Sequence, residues 1–403
     1  MSERNSAIRR FLALESASGI ILLATALGGL IIANSPLKAW YHSLLDFSFQ
    51  IGPSSLHLTF TVLKVINYIL MTLFFFVVGL EIKRELTGGH LSSFRAAIMP
   101  FLGAIGGMVL PAVIYLLIAG SSNAQGWAVP VATDIALAVG AISLIGKAVA
   151  PSLRSFLLAL AVIDDIGAIL IIAIVYSSGI QWGWVLCAIL AVAIVVIMKR
   201  VNVTYSLLYL FPGSLVWYCL YRCGVHPTLA GVILGLLTPT TIVRGKKSRI
   251  NNAPGISEIQ VIEKLEHRLH PLSSFLVIPL FAFANAGVEI SSNSISTALN
   301  SAIAWGIFFG LVLGKPLGIL VASILAIKAN IGDRPAGASK LAISATGSAA
   351  GIGFTVAIFI AHLAFASKAE QDVAIIAIIV ASIVSGLMSK ALFAFKERFI
   401  KDR

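Results

Sequence analysis

Two adjacent aspartates stand in the middle of an apolar run, Phe156-Leu-Leu-Ala-Leu-Ala-Val-Ile-Asp164-Asp165-Ile-Gly-Ala-Ile-Leu-Ile-Ile-Ala-Ile-Val-Tyr176. About 20 apolar residues suffice for a helix to cross a bilayer. A carboxylate at the membrane centre costs about 2.5–3.5 kcal/mol on the insertion scale, so two cost about 5–7 kcal/mol. The surrounding Leu, Ile, Val and Phe return about 0.3–0.6 kcal/mol each, about 4–8 kcal/mol together. Such a helix inserts only marginally by itself. It requires partner helices that bring its carboxylates water, a cation or an opposite charge. Ionisable groups kept under these conditions mark ion or proton pathways.

The rest of the chain supplies those partners. Of its 403 residues, 58% are hydrophobic and 11% charged, which predicts an all-α polytopic membrane protein rather than a soluble core. Apolar stretches lie near 12–33, 59–80, 96–119, 126–145, 154–176, 182–198, 205–221, 226–238, 271–287, 302–327, 341–365 and 373–394. They give about twelve spans in one transmembrane domain, 1–403. The net charge of +12 does not point to nucleic acid, because the basic residues gather in alternate loops. Arg9 and Arg10, Lys83 and Arg84, Lys199 and Arg200, Arg244 to Arg249, and Lys390 to Arg403 lie on one side. The intervening loops carry only Lys38, Lys64, Arg222 and Lys368. This positive-inside pattern puts both termini in the cytoplasm. The stretch Ser16 to Ala33 is too long for a signal-peptide core and reads as a retained first helix. Three cysteines without metal-type spacing predict small core residues, not a disulfide framework.

Two local features stand out between the spans. Phe47-Ser-Phe-Gln-Ile51 and Leu56-His-Leu-Thr-Phe60 flank a Gly-Pro turn, which predicts a small outer β-hairpin within 45–60. Its free edges would be satisfied by a second copy of the chain. Residues 239–270 form the longest polar segment and read as a cytoplasmic connection. Two apolar segments are also interrupted. One contains Pro130-Val-Ala-Thr133-Asp134, the other Gly351-Ile-Gly353-Phe-Thr355. Pro removes a backbone donor and Gly loosens a helix. Unwound backbone at membrane depth survives only where it lines a site or a cavity. These are the fourth and eleventh spans, each the middle member of a three-helix group. Such pairing suggests structural repeats with a site between them.

Four ionisable residues fall well inside spans: Asp134, Asp164, Asp165 and Lys315. Lys315 is the only charge between Glu289 and Lys328. Three acids and one base leave a deficit of positive charge that a dehydrated cation or bound protons would repair. Adjacent helical residues point about 100° apart, so one aspartate can face Lys315 while the other faces a cavity. Their mutual repulsion at about 5 Å and an effective dielectric near 20 is about 3 kcal/mol, which favours a bound proton or cation between them. Hard oxygen ligands suit Na+ or Li+, and Thr133 and the unwound backbone beside it add to the set. Half-helices meeting in mid-membrane bring positive N-terminal and negative C-terminal ends together. Asp134 can compensate the first and Lys315 the second. A second charged cluster, Glu81, Lys83, Arg84 and Glu85 with Glu266, His267 and His270, lies at the cytoplasmic side. His226, at an outer helix start, reads as a local structural group.

The chain resembles the NhaA-type sodium/proton antiporters of bacterial inner membranes. The stretches that carry the resemblance run through most of the sequence. They are Gly79-Leu-Glu81-Ile-Lys-Arg-Glu85-Leu, Pro130-Val-Ala-Thr133-Asp134-Ile-Ala, Ala161-Val-Ile-Asp164-Asp165-Ile-Gly-Ala, Gly224-Val-His226-Pro-Thr-Leu-Ala-Gly, Leu265-Glu266-His267-Arg-Leu-His270-Pro, Pro279-Leu-Phe-Ala-Phe-Ala-Asn285-Ala-Gly, Gly314-Lys315-Pro-Leu-Gly and Gly351-Ile-Gly353-Phe-Thr355. The resemblance implies inverted repeats with crossed, broken helices.

The resemblance implies electrogenic exchange, more than one proton entering for each Na+ or Li+ expelled, with activation at alkaline pH. It implies Asp165 at the ion site with Asp164, the latter able to pair with Lys315. It implies that Asp134 and Lys315 balance the broken helices. It assigns Glu81, Glu85, Glu266, His267 and His270 to the pH-response region and the hairpin to a homodimer contact. No cofactor and no enzymatic activity are implied. Two rivals differ in their requirements. A sodium-coupled solute symporter needs a polar pocket for an organic substrate, and no obvious polar set for one is present. An intramembrane aspartyl protease needs Asp after Gly-x-Gly, where this chain has Phe354.

Overall fold

The computed structural model describes residues 15–51, 58–89, 91, 94–146, 149–177, 179–201, 203, 206–238, 259–336 and 338–401. The expected hairpin turn at 52–57, most of the polar connection at 239–258, and the start of the first predicted span at 12–14 lie outside them. Among the described residues six helices are long and apolar enough to cross a bilayer, and nine spans result if each of three bent helix pairs counts as one. Helices suit a lipid environment because their backbone groups pair within the segment. Their outward faces carry large apolar side chains such as Leu117, Ile174, Trp182 and Phe211. In water these would be a liability; against lipid they are the expected surface.

By internal contacts the chain forms two compact units. The first comprises Met1–Leu63, Ser93–Ala168 and Pro279–Arg403. Its N-terminal helix, Glu15–Ala33, is followed by the short Lys38–Asp46 helix after a 112° bend. Strands β1 (Ser48–Ile51) and β2 (Leu58–Thr61) then pair antiparallel, with Phe49 opposite Phe60. The long helix Phe94–Ala119 packs on the Lys315–Lys328 helix through glycine. A Cβ built on Gly106 would strike the Gly318 carbonyl, and one on Gly318 would strike that of Gly106. Only glycine at both positions allows the two backbones to approach so closely.

Two helix pairs of this unit are broken. The tight 3-10 segment Ser121–Val131 and the α-helix Ile135–Ile145 meet at 53°, and so do the helices Lys340–Ala350 and Phe354–Ala364. Pro130 lies inside the 3-10 segment, and the first break falls after it, at 132–134. The second break is Gly351-Ile352-Gly353, where a Cβ on Gly351 would come 2.5 Å from the Leu311 carbonyl oxygen. A last helix, Lys368–Lys401, packs along the second broken pair.

The second unit comprises Lys64–Ser92 and Ile169–Ile278. Its helix Met71–Thr87 packs on the short helix Leu229–Leu237 by the same device, since a Cβ on Gly231 would strike the Thr72 carbonyl. Helices Trp182–Arg200, Leu210–Cys223 and Ile259–Leu272 complete it. Leu229–Leu237 is only nine residues long and largely buried, so it is a helix sheltered by neighbours rather than a full lipid-facing span. The three cysteines are free. His226 meets Tyr68 edge-on at 5.1 Å, and its Nδ1 lies 2.7 Å from the Thr228 hydroxyl.

Candidate functional site

All four mid-span charges fall in the first unit, and each is buried: Asp134 2%, Asp164 1%, Asp165 6% and Lys315 0% exposed. Lys315 follows a π-helical turn, Gly310–Gly314, that interrupts the span Ala302–Lys328. Such a turn widens the helix locally and re-aims the next side chain. Its glycines also admit neighbours: a Cβ on Gly310 would lie 2.7 Å from Pro130 Cβ, and one on Gly314 2.8 Å from Pro111 Cα. Pro130 thus packs behind the site.

The Lys315 ammonium pairs with Asp164 Oδ2. It also donates to the Thr133 hydroxyl at 2.7 Å. That hydroxyl lies 2.7 Å from Asp164 Oδ2 and 2.9 Å from the Ala350 carbonyl oxygen. It has one proton to donate, so it serves one of these two acceptors at a time. Ala350 ends the half-helix Lys340–Ala350. One side chain of the first break therefore links the buried ion pair to the negative end of the second broken helix. Asp164 Oδ1 is buried without a hydrogen-bond partner. An ionised carboxylate has lone pairs to fill, and a buried oxygen left open is a place where a cation or proton gains most. Asp165 is the next residue on the Pro151–Val175 helix and is turned about 100° from Asp164 around its axis.

Asp134 does the complementary work at the positive helix ends. Its Oδ1 accepts from the Leu137 amide at 3.0 Å, capping the helix Ile135–Ile145. Its Oδ2 accepts from the Thr355 amide at 3.0 Å and the Thr355 hydroxyl at 2.5 Å, in the first turn of Phe354–Ala364. Asp134 also donates its own amide to the Ile352 carbonyl at 2.7 Å. One carboxylate thereby satisfies the N-termini of two half-helices, where backbone donors lack internal partners and the dipole is positive. The structure brings Thr133, Asp134, Asp164, Lys315 and Thr355 into one connected set around the two breaks. The bond to Ala350 had no signal in the sequence, because any backbone carbonyl looks alike there.

Glu81, Glu85, Glu266, His267 and His270 fall in the second unit. Arg84 reaches Glu266 Oε1 at 2.5 Å and Glu85 Oε1 at 3.2 Å. Glu81 lies one helical turn before Glu85. Glu266 is 7% exposed, and its Oε2 has no hydrogen-bond partner. Burial pushes its carboxyl above the usual range, with Arg84 opposing and Glu81 reinforcing the shift. His267 is exposed, and His270 Nδ1 lies 3.5 Å from the Ser274 hydroxyl. Among the described residues no group of three or more His, Cys, Asp and Glu side chains is arranged to hold a metal.

A many-helix apolar chain with a fully buried ion pair at two helix breaks is a polytopic membrane protein built around a charged centre. Residues 9–393 match the family described as Na+/H+ antiporter 1, and the chain belongs to that family. A Na+/H+ antiporter NhaA of Serratia proteamaculans is 44% identical over 360 residues, 89% of this chain and 89% of its own length. Na+/H+ antiporter NhaA 1 of Clostridium beijerinckii is 40% identical over 94% of this chain and 92% of its own. An NhaA of Helicobacter pylori is 39% identical over 97% and 96%. These relatives are named as transporters, not enzymes.

Proposed function

We propose that this protein expels Na+ or Li+ across a bacterial inner membrane in exchange for more than one proton, by alternating access. The observation that carries the reading is the buried Lys315–Asp164–Thr133 set at two helix breaks, with one Asp164 oxygen unpartnered. The cation is the substrate. Asp164, Asp165 and the Thr133 hydroxyl are its hard oxygen ligands, the kind a small monovalent cation prefers. When it enters, it competes with the Lys315 ammonium for Asp164. The set of Asp164, Asp165 and Lys315 gives up two protons for one cation, so one net charge crosses per cycle. Asp134 stabilises the broken helices through both halves of the cycle, and Lys315 does so while it carries its proton.

In this reading 1–403 is one transport domain of about twelve spans, with inverted repeats and crossed breaks at spans four and eleven. Both termini face the cytoplasm. The β1–β2 pair is an outer hairpin that joins two copies. Glu81, Glu85, Glu266, His267 and His270 tune activity upward at alkaline pH. Family membership and the relatives' names support the exchange itself. The test is Na+-driven proton flux in proteoliposomes at alkaline pH, with and without Asp165→Asn. A carboxamide neither carries the counter-charge nor releases a proton, so flux should vanish. Near-normal flux in that variant refutes the site.

A further inference from the structure

The last helix carries three buried serines on one face, and two of them, Ser385 and Ser389, meet the second broken pair. Ser382, Ser385 and Ser389 lie on one face of Lys368–Lys401, at i, i+3 and i+7. They are 7%, 0% and 0% exposed. Ser389 donates to the Ala345 carbonyl of the half-helix Lys340–Ala350 at 2.8 Å. Farther toward the break the same face does not complete its bonds. A Cβ on Gly351 would lie 2.9 Å from Ser385 Oγ, so this hydroxyl sits against the unwound backbone. Yet Ser385 Oγ and Ser382 Oγ are buried and have no hydrogen-bond partner. Neither folds back onto its own helix, as serines in apolar helices ordinarily do. An unpaired buried hydroxyl is destabilising, and alanine at the same place is not.

A group that weakens the state in which it is seen is explained if another state satisfies it. We propose that Ser382 and Ser385 are positioning residues for the second transport state, in which the segment 349–353 shifts along the last helix and takes their hydroxyls as hydrogen-bond donors. Ser389, already bonded one turn away, is the fixed end of the ladder. The half-helix beside them, Lys-Leu-Ala-Ile-Ser-Ala-Thr-Gly-Ser-Ala-Ala, has small residues at most positions and is buried from Ala345 to Ala350. Small side chains let packed helices slide with little steric resistance. This inference rests on the alternating-access reading above and adds two residues to it.

The experiment compares Ser382→Ala, Ser385→Ala and their double variant with Ser389→Ala. Thermal stability in detergent is measured beside Na+-driven proton flux in proteoliposomes. The ladder predicts an unchanged or higher Tm for the first three, because no existing bond is lost. It predicts a lower maximal rate, by about fivefold for each hydroxyl, with the apparent KM for Na+ moving less than twofold. Ser385→Cys, similar in size with a weak donor, should fall between Ser and Ala. Ser389→Ala should instead lower Tm. Wild-type rates in the double variant would overturn the ladder, as would a Tm and a rate that fall together. A wild-type protein without Na+-driven flux would overturn the transport reading and the ladder with it. An active wild type with an unaffected double variant overturns the ladder alone.

Discussion

Replacing Lys315 by Met tests the buried centre most directly, because the two side chains are similar in length and differ in charge. Lys315 and Asp164 side chains are both 0% exposed, so solvent does not screen the loss. Removing one partner of a buried pair leaves an uncompensated charge and costs about 3–5 kcal/mol. For 403 residues, an unfolding entropy of about 2.1 cal/mol/K per residue gives roughly 0.85 kcal/mol per degree, so Tm should fall by about 4–6 °C. Asp164→Asn leaves the ammonium stranded and should cost a similar amount. The double variant Lys315→Met with Asp164→Asn removes both charges, and such replacements are often close to neutral. Its Tm should recover more than half of either single loss. Thermal unfolding in one detergent at fixed pH and Na+ concentration measures all four proteins. A Lys315→Met Tm equal to wild type, or a double variant whose losses simply add, would refute the reasoning.

Thr133→Ala should raise the KM for Na+ by about five- to tenfold, the value of one polar contact, while Thr133→Ser keeps the hydroxyl and stays near wild type; concentration series of Na+-driven flux separate them. Asp134→Ala removes the side-chain acceptor from the caps of two half-helices, at about 0.5–2 kcal/mol each, and should lower Tm without altering the cation ligands; an unchanged Tm contradicts the capping role. Glu266 has a raised carboxyl pKa in the folded protein, so the folded state binds its proton more tightly than the unfolded chain does. Its contribution is present below the ordinary glutamate value of about 4.3 and is lost as pH rises through the raised one. The Tm of wild type relative to Glu266→Gln should therefore decline over that window, and a pH-independent difference would contradict the assignment.

The mid-span charges were legible in the sequence because their burial is expensive. A carboxylate or ammonium inside an apolar run has few structural alternatives, so Asp134, Asp164, Asp165 and Lys315 stood out without any contact being known. The breaks were legible for a related reason, since Gly and Pro disturb the helix wherever they stand. Their positions were less so. Pro130 lies within a tight 3-10 segment, itself kinked at Asn123, and the break between the two half-helices falls after it, at 132–134. The π turn before Lys315 had no signature, because its residues, Gly-Leu-Val-Leu-Gly, suit any apolar helix. Hydropathy marked twelve stretches. Not all of them are full spans in the structure: Leu229–Leu237 is a helix of only nine residues. Hydropathy registers burial as readily as lipid contact, and length alone distinguishes them. Ser382 and Ser385 escaped notice because serine is at home in a membrane helix. Only an inventory of hydrogen-bond partners sets them apart from Ser389.

Thr133 and Asp134 are neighbours that serve opposite ends of the same two breaks. Asp134 holds two helix N-termini, whose donors can be satisfied by a fixed negative charge. Thr133 has a single proton shared between the Ala350 carbonyl, a helix C-terminus, and Asp164, the partner of Lys315. In the proposed exchange, a cation on Asp164 would turn the hydroxyl toward the Ala350 carbonyl. Occupancy of a carboxylate is thus linked to the end of a broken helix through one rotatable bond. A continuous helix has no free carbonyl at that depth to receive the proton, and an alanine at 133 has none to give. The break supplies the acceptor, the apolar surroundings make its satisfaction count, and under the proposed exchange the adjacent carboxylate would make the bond depend on the ion.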